Sequence, residues 1–515
     1  MCHLSEELPN ASLAALLATG RRRWLASPAA GGETRHVLLP PTERLPGPVV
    51  RPYDRQVRPR LLGGVIGLSS RRMRRLRLVL AGAALAACAA LVGVAPAVPA
   101  TAQPPGGRDP APMNTPQTPS RPAPEAAWVE LGPSGAVLAR AITKAAECPE
   151  LTVDKVAARM EVRAAPSPPD YPVRSCEAML PREAKRVTLA GQQLPLPADR
   201  PRRIVVVGDT GCRLKAVDGF QACNDPRAWP FARVAKSIAR WHPDLVIQVG
   251  DYLYREEPCP QGNTGCQGSP FGQNWATWDA DFFTPAAAAL RAAPWLFVRG
   301  DHELCSRAGP GWFRFLEPRP MPPTCQDLTT PYSVNLAGVR MIVLDTAMAS
   351  DKPPLDPDPY ISQFEALGTM AGSNAWLLAH KPMWGLLPDS SGTSVTVLNP
   401  TLQAASDNSL PPNVRLVVTG HIHLAEVLTF AGERPPQIVA GISGTLLLPQ
   451  ITAPLVGMDV AGQRLTTATT LAQHGFFTFV PGPQGWAATI RDVDGKPIAH
   501  CQLHGRSTAC GQPRR

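Results

Sequence analysis

Five short segments of this 515-residue chain place an aspartate or a histidine directly after a run of apolar residues. They are Asp209-Thr210-Gly211, Gly250-Asp251-Tyr252-Leu253-Tyr254, Gly300-Asp301-His302-Glu303, His380, and Gly420-His421-Ile422-His423. Carboxylates and imidazoles without a thiolate suit hydrolytic divalent metals or non-haem iron rather than structural zinc. Two ions need more than four ligands, including a carboxylate able to bridge; Asp209, Asp251, Asp301, His380, His421 and His423 supply that number. Such a pair activates water and stabilises charge on a phosphoryl group during in-line displacement. Taken singly, an aspartate at a strand end is as often a turn or helix cap as a ligand. The succession of all five points to chemistry.

The elements that must position these residues are the apolar runs themselves. Ile204–Val207, Leu245–Val249, Trp295–Val298, Met341–Leu344, Trp376–Leu378 and Val414–Val418 are apolar on both faces and are separated by helix-length stretches. That pattern describes buried, largely parallel strands and an α/β fold. One intervening stretch puts Phe231, Val234, Ile238 and Trp241 on a single helical face. Ligands of open α/β sheets bind outside the carboxyl ends of the strands, so the five segments converge on one crevice. A glycine before the aspartate or histidine lets the chain turn sharply there. Asp345, closing the Met341 run, is read as structural, and His242, His474, His500 and His504 stand in no motif. Trp275, Trp278, Trp312 and Trp384 either line the crevice or pack in the core.

In order and spacing the five segments resemble the signature of the calcineurin-like metallophosphoesterases, in the purple acid phosphatase branch: D-x-G, G-D-x-x-Y, G-N-H-[DE], V-x-x-H and G-H-x-H. The resemblance covers roughly residues 202–445. It implies two packed β-sheets flanked by helices, a metallophosphoesterase-like sandwich. It also implies two metal sites: Asp209, Asp251, Tyr254 and His423 at one, and Asp251, Asp301, His380 and His421 at the other, with Asp251 bridging. Tyr254 marks the branch, since a tyrosinate favours ferric iron; the second site would take Zn, Mn or Fe. His302 would bind phosphate or protonate the leaving group. Two positions depart from the pattern: Asp301 replaces the usual asparagine, and His380 is followed by Lys381-Pro382-Met383-Trp384, without a second phosphate-binding histidine.

The net charge of +10 does not indicate a nucleic-acid-binding domain. Residues 1–102 carry 14 Arg and 5 acidic residues, and the rest of the chain only +1. Residues 1–72 have neither helical nor strand periodicity and read as a spurious or disordered extension, with Met73 where a signal peptide would start; a cytoplasmic tail before a membrane helix is the alternative. Residues 73–102 read as a signal peptide: an arginine cluster, an apolar run from Leu78, and the small-residue site Ala100-Thr101-Ala102. An uncleaved signal or a lipid anchor at Cys88 are the alternatives, and each leaves the folded part exported, periplasmic or secreted. The ten cysteines beyond the leader form an even set and read as disulfides; sequential pairing would close five short loops. Residues 103–125 read as a Pro-rich linker, 126–200 as a small β-rich appendage and 201–515 as the metallophosphoesterase domain. The expected function is exported hydrolysis of a small-molecule phosphate ester, monoesters favoured. Diesters such as nucleotides, or metal binding without turnover, are the alternatives.

Overall fold

The structure is a computed structural model that describes residues 123–336 and 338–511. The readings of residues 1–72, of the signal peptide and of nearly all the linker therefore lie outside the described residues.

Two large sheets face one another. Six strands organise the site: β1 (Ile204–Val207), β2 (Leu245–Gln248), β3 (Trp295–Phe297), β4 (Val339–Val343), β5 (Ala375–Leu378) and β6 (Val414–Thr419). In an eleven-stranded sheet β1, β2 and β3 are parallel neighbours; in an eight-stranded sheet β4, β5 and β6 are, with Gln437–Ala440 parallel beyond them.

The runs are largely apolar because most of both faces of each sheet is covered, with Arg415 the exposed exception in β6. Successive strand residues point to opposite faces. Ile204 and Val206 of β1 enter the core between the sheets, where they join Leu296 of β3, Met341 of β4, Trp376 and Leu378 of β5 and Val418 of β6. Val205 and Val207 pack on the outside against Phe231, Val234 and Ile238 of helix α1 (Phe231–Trp241). Ala375 and Leu377 of β5 likewise meet Tyr360, Phe364 and Leu367 of helix α2 (Asp358–Met370). Fully burying each such side chain contributes about 1.5–3 kcal/mol. Helix α1 ends where His242 takes left-handed backbone angles, so this histidine serves as a cap and is remote from any motif.

The segment 126–200 is β-rich, as expected, and its strands are shared out. Ala126–Leu131 lies parallel beside β3 and extends the eleven-stranded sheet through Val137–Thr143 and Arg174–Leu180 to Glu161–Ala164. Leu151–Val153, Val156–Ala158, Val187–Leu189 and Gln192–Leu194 make a four-stranded sheet of their own. At the other end, a turn at Asp494-Gly495 joins the antiparallel strands Gly485–Asp492 and Pro497–His504.

All ten described cysteines pair in sequential order: Cys148–Cys176, Cys212–Cys223, Cys259–Cys266, Cys305–Cys325 and Cys501–Cys510. Among the described residues no helix is long and apolar enough to cross a membrane.

Candidate metal centre

The turns that follow β1, β2, β3, β5 and β6 bring Asp209, Asp251, Tyr254, Asp301, His302, His380, His421 and His423 to one place. Asp209, Asp251 and His421 have positive φ, at 56°, 59° and 71°. Non-glycine residues rarely adopt that region, and it concentrates at functional sites. Glycine is required beside them by crowding: a Cβ on Gly300 would overlap the Asp251 carboxylate, and one on Gly250 would run into the His380 ring.

One group of donors gathers around the Tyr254 hydroxyl, 2.9 Å from Asp209 Oδ1, 2.9 Å from Asp251 Oδ2 and 3.0 Å from His423 Nε2. A second group is formed by Asp251, Asp301, His380 and His421, whose donor atoms all lie within 4.8 Å of one another. His380 Nε2 is 3.2 Å from both Asp251 Oδ2 and Asp301 Oδ1, and His421 Nδ1 is 3.0 Å from Asp301 Oδ1. Asp251 Oδ2 thus stands in both groups.

Each imidazole is oriented through its far nitrogen. His380 Nδ1 donates to the Val249 carbonyl over 2.8 Å, and His421 Nε2 donates to Asp351 Oδ2 over 3.0 Å. Bonds of this kind fix the tautomer that leaves the other nitrogen free for a metal. His302 lies beside the centre with its ring 3.8 Å from that of Tyr254, centroid to centroid. Its Nδ1 is 2.9 Å from both Glu256 Oε1 and the Leu253 carbonyl, which aims Nε2 inward, 3.8 Å from Asp251 Oδ2.

The electrostatics describe carboxylates that demand positive charge. Against the opposing effect of burial, hydrogen bonds to Asp301 and Asp351 lift the His421 imidazole to about 9, and the Asp251 and Asp301 carboxylates hold His380 well above its usual range. Burial, then Asp209 and Asp251, push the Tyr254 phenol far above its usual range. Burial lowers His423. Oxygen and imidazole donors pointing inward around such a deficit fit divalent cations.

Sequence reasoning missed the residues that hold this set in place. The fully buried Glu303 carboxylate accepts from the backbone N–H groups of Asp251, Tyr252, Leu253 and Gly300, at 2.9–3.2 Å, tying the turn after β2 to that after β3. The buried Asp281 accepts from the N–H groups of Cys212 and Tyr254, at 3.1 and 2.8 Å, joining the turns after β1 and β2. Glu256, Arg307, Asp351 and Arg213 complete the surround. Glu303 falls within the third motif; the others carry no local signal. Asp345 is structural, accepting from Thr329 and Arg299. Trp275, Trp278, Trp312 and Trp384 are core residues, none more than 5% exposed.

Two packed sheets with this crevice at their carboxyl edge define a phosphoesterase fold carrying an Asp- and His-rich metal-binding cluster. The family model of calcineurin-like phosphoesterases matches residues 202–425. Among solved structures, purple acid phosphatase PPD1 of yellow lupin (Lupinus luteus) is similar at 14% identity, with 72% of each chain covered and a TM-score of 0.46. A structure of PhoD is similar at 13% identity, covering 78% of this chain and 94% of that one, with a TM-score of 0.48. No curated protein matches the sequence.

Proposed function

We propose that this chain is an exported phosphoesterase that hydrolyses phosphate esters, monoesters favoured, with two metal ions. The observation that carries this reading is the position of Asp251 Oδ2, shared between the Tyr254 group and the His380 group. One ion would be held by Asp209, Asp251, Tyr254 and His423, the other by Asp251, Asp301, His380 and His421. Bound there, the pair would polarise the phosphoryl group and supply a nucleophilic water at moderate pH.

The chain's own residues do the rest. His302, held at Nδ1 by Glu256 and the Leu253 carbonyl, presents Nε2 to the leaving oxygen and gives it a proton as the P–O bond breaks. A proton donor aimed into the cluster has no use in a protein that only stores metal, which favours turnover. Iron(III) suits the first site, because a tyrosinate from Tyr254, whose hydroxyl stands among Asp209, Asp251 and His423, favours a strongly acidic cation. Zn, Mn or Fe suits the second. Five disulfides suit an oxidising compartment outside the cytoplasm.

The test is a kinetic screen of phosphate monoesters and diesters on metal-analysed protein, with a visible spectrum of the oxidised form. Hydrolysis by a coloured protein that Tyr254→Phe bleaches supports the reading. A colourless, active protein holding only zinc or manganese removes the iron, and a fully metallated protein inert to every ester removes the function.

A further inference from the structure

Three cations border the metal centre, and two of them are already engaged. Arg307 is bound to Asp301, at 2.7 Å, and to Glu256. The Lys381 ammonium donates to the Ala349 carbonyl over 2.9 Å and to Asp351 over 3.1 Å. Arg213 differs.

Arg213 follows Cys212 in the turn after β1, and the Cys212–Cys223 bridge and Gln221 brace its backbone. The residue is 8% exposed, and its guanidinium lies over the Tyr254 ring, 4.5 Å from the centroid. NH1 reaches Asp218 over 3.0 Å, but that carboxylate is 42% exposed and the pairing is correspondingly weak. The buried Nε has no hydrogen-bond partner among the described residues. NH2 has one contact in the site, His423 Nε2 at 3.5 Å, the outer limit of a hydrogen bond. That nitrogen is the atom His423 would give to a metal, leaving NH2 aimed at the centre with no acceptor. A buried guanidinium with spare donors is costly unless a ligand satisfies it.

We propose that Arg213 is a substrate-binding residue whose NH2 donates to a non-bridging oxygen of the ester phosphate, favouring phosphoryl groups that carry two negative charges. This rests on the phosphoesterase reading above. Arg213 offers a phosphate contact on the Tyr254–His423 side of a site that lacks a second histidine after His380. A monoester at neutral pH presents two charges on three oxygens, whereas a diester presents one charge on two, so the guanidinium gains more from the monoester.

The experiment uses the metallated full chain, with inorganic phosphate as the probe. Calorimetric affinity for phosphate is measured for the wild type, Arg213→Gln and Arg213→Lys, alongside metal content and the KM of one monoester and one diester. Arg213→Gln is expected to keep its metals and bind phosphate about tenfold to a hundredfold more weakly, the range for one hydrogen bond to a charged group. Monoester KM should rise by the same factor and diester KM by less than about threefold, with Arg213→Lys between the wild type and Arg213→Gln. Phosphate affinity within about threefold of wild type in metallated Arg213→Gln, or equal losses for the two esters, overturns the proposal. Loss of metal from both variants also overturns it, making Arg213 a support for Tyr254 and His423. A wild type that binds no phosphate and cleaves no ester refutes the functional reading instead.

Discussion

Arg307 NH1 donates to Asp301 Oδ2 over 2.7 Å, so the carboxylate that replaces the usual asparagine has a cation of its own. The remaining arms of Arg307 hold Glu256, which in turn holds His302. The negative charge of Asp301 is therefore partly compensated within the protein, and through Glu256 the compensating residue also reaches the proposed proton donor. Both side chains are less than a quarter exposed, so the pair is worth more than a surface salt bridge.

Opposite effects on the metal follow from breaking the pair at either end. Asp301→Asn should weaken retention of the second ion, because a charged donor becomes neutral and Arg307 remains. Arg307→Ala should tighten retention, because Asp301 loses its competitor, while lowering folding stability by about 1–3 kcal/mol. Metal release into a chelator, followed for both single variants and the double variant, measures the coupling. Equal release rates in all four proteins would show that Asp301 is not a ligand.

Loss of the proton donor should depend on the leaving group. His302→Ala is expected to slow hydrolysis of alkyl phosphates by about 10²–10⁴ with metal content intact, and nitrophenyl phosphate by much less, since nitrophenolate leaves without protonation. Glu256→Gln should reproduce the pattern more weakly, about tenfold, because it acts only through His302 Nδ1. An equal loss for both classes of substrate would assign His302 to phosphate positioning.

Glu426, which takes no part in the donor groups, should govern part of the pH dependence of stability. Its fully buried carboxyl has one hydrogen bond among the described residues, from the Leu386 N–H at 3.1 Å, and burial pushes it up to about 8. The unfolded chain ionises it near the ordinary glutamate value of 4.5, so between that pH and about 8 only the folded state holds the proton. Its favourable contribution is complete below 4.5 and is lost as pH rises towards 8, at up to ~1.4 kcal/mol per pH unit. Urea unfolding from pH 5 to 8 should show Glu426→Gln gaining on the wild type at about that slope. Parallel curves would mean that Glu426 is ionised in the fold.

The candidate site was legible in the sequence because each proposed ligand lies in the turn that follows the strand carrying it. Tyr254 and His302 were found through the same motifs, and all eight residues meet in the structure. Their supports were not legible, since Arg307, Asp351 and Arg213 act across loops whose course the pattern of apolar residues does not describe. In the N-terminal segment, the Trp128-Val129-Glu130-Leu131 run looks like a strand with one wet face. Glu130 is instead fully buried, held at 2.8 Å by the equally buried Arg140 of the next strand. A charge pair inside the sheet mimics a solvent-exposed alternation, which hid the continuity of Ala126–Leu131 with β3.

The central claim is that two ions held by the Asp209-to-His423 constellation drive ester hydrolysis, and one measurement meets it directly. Metal content and turnover of a phosphate monoester are followed in the same sample while a chelator strips the protein and the metals are then restored. The expected result is about two ions per chain at full activity, with both quantities falling together and returning together. Undiminished hydrolysis by metal-free protein would contradict the account.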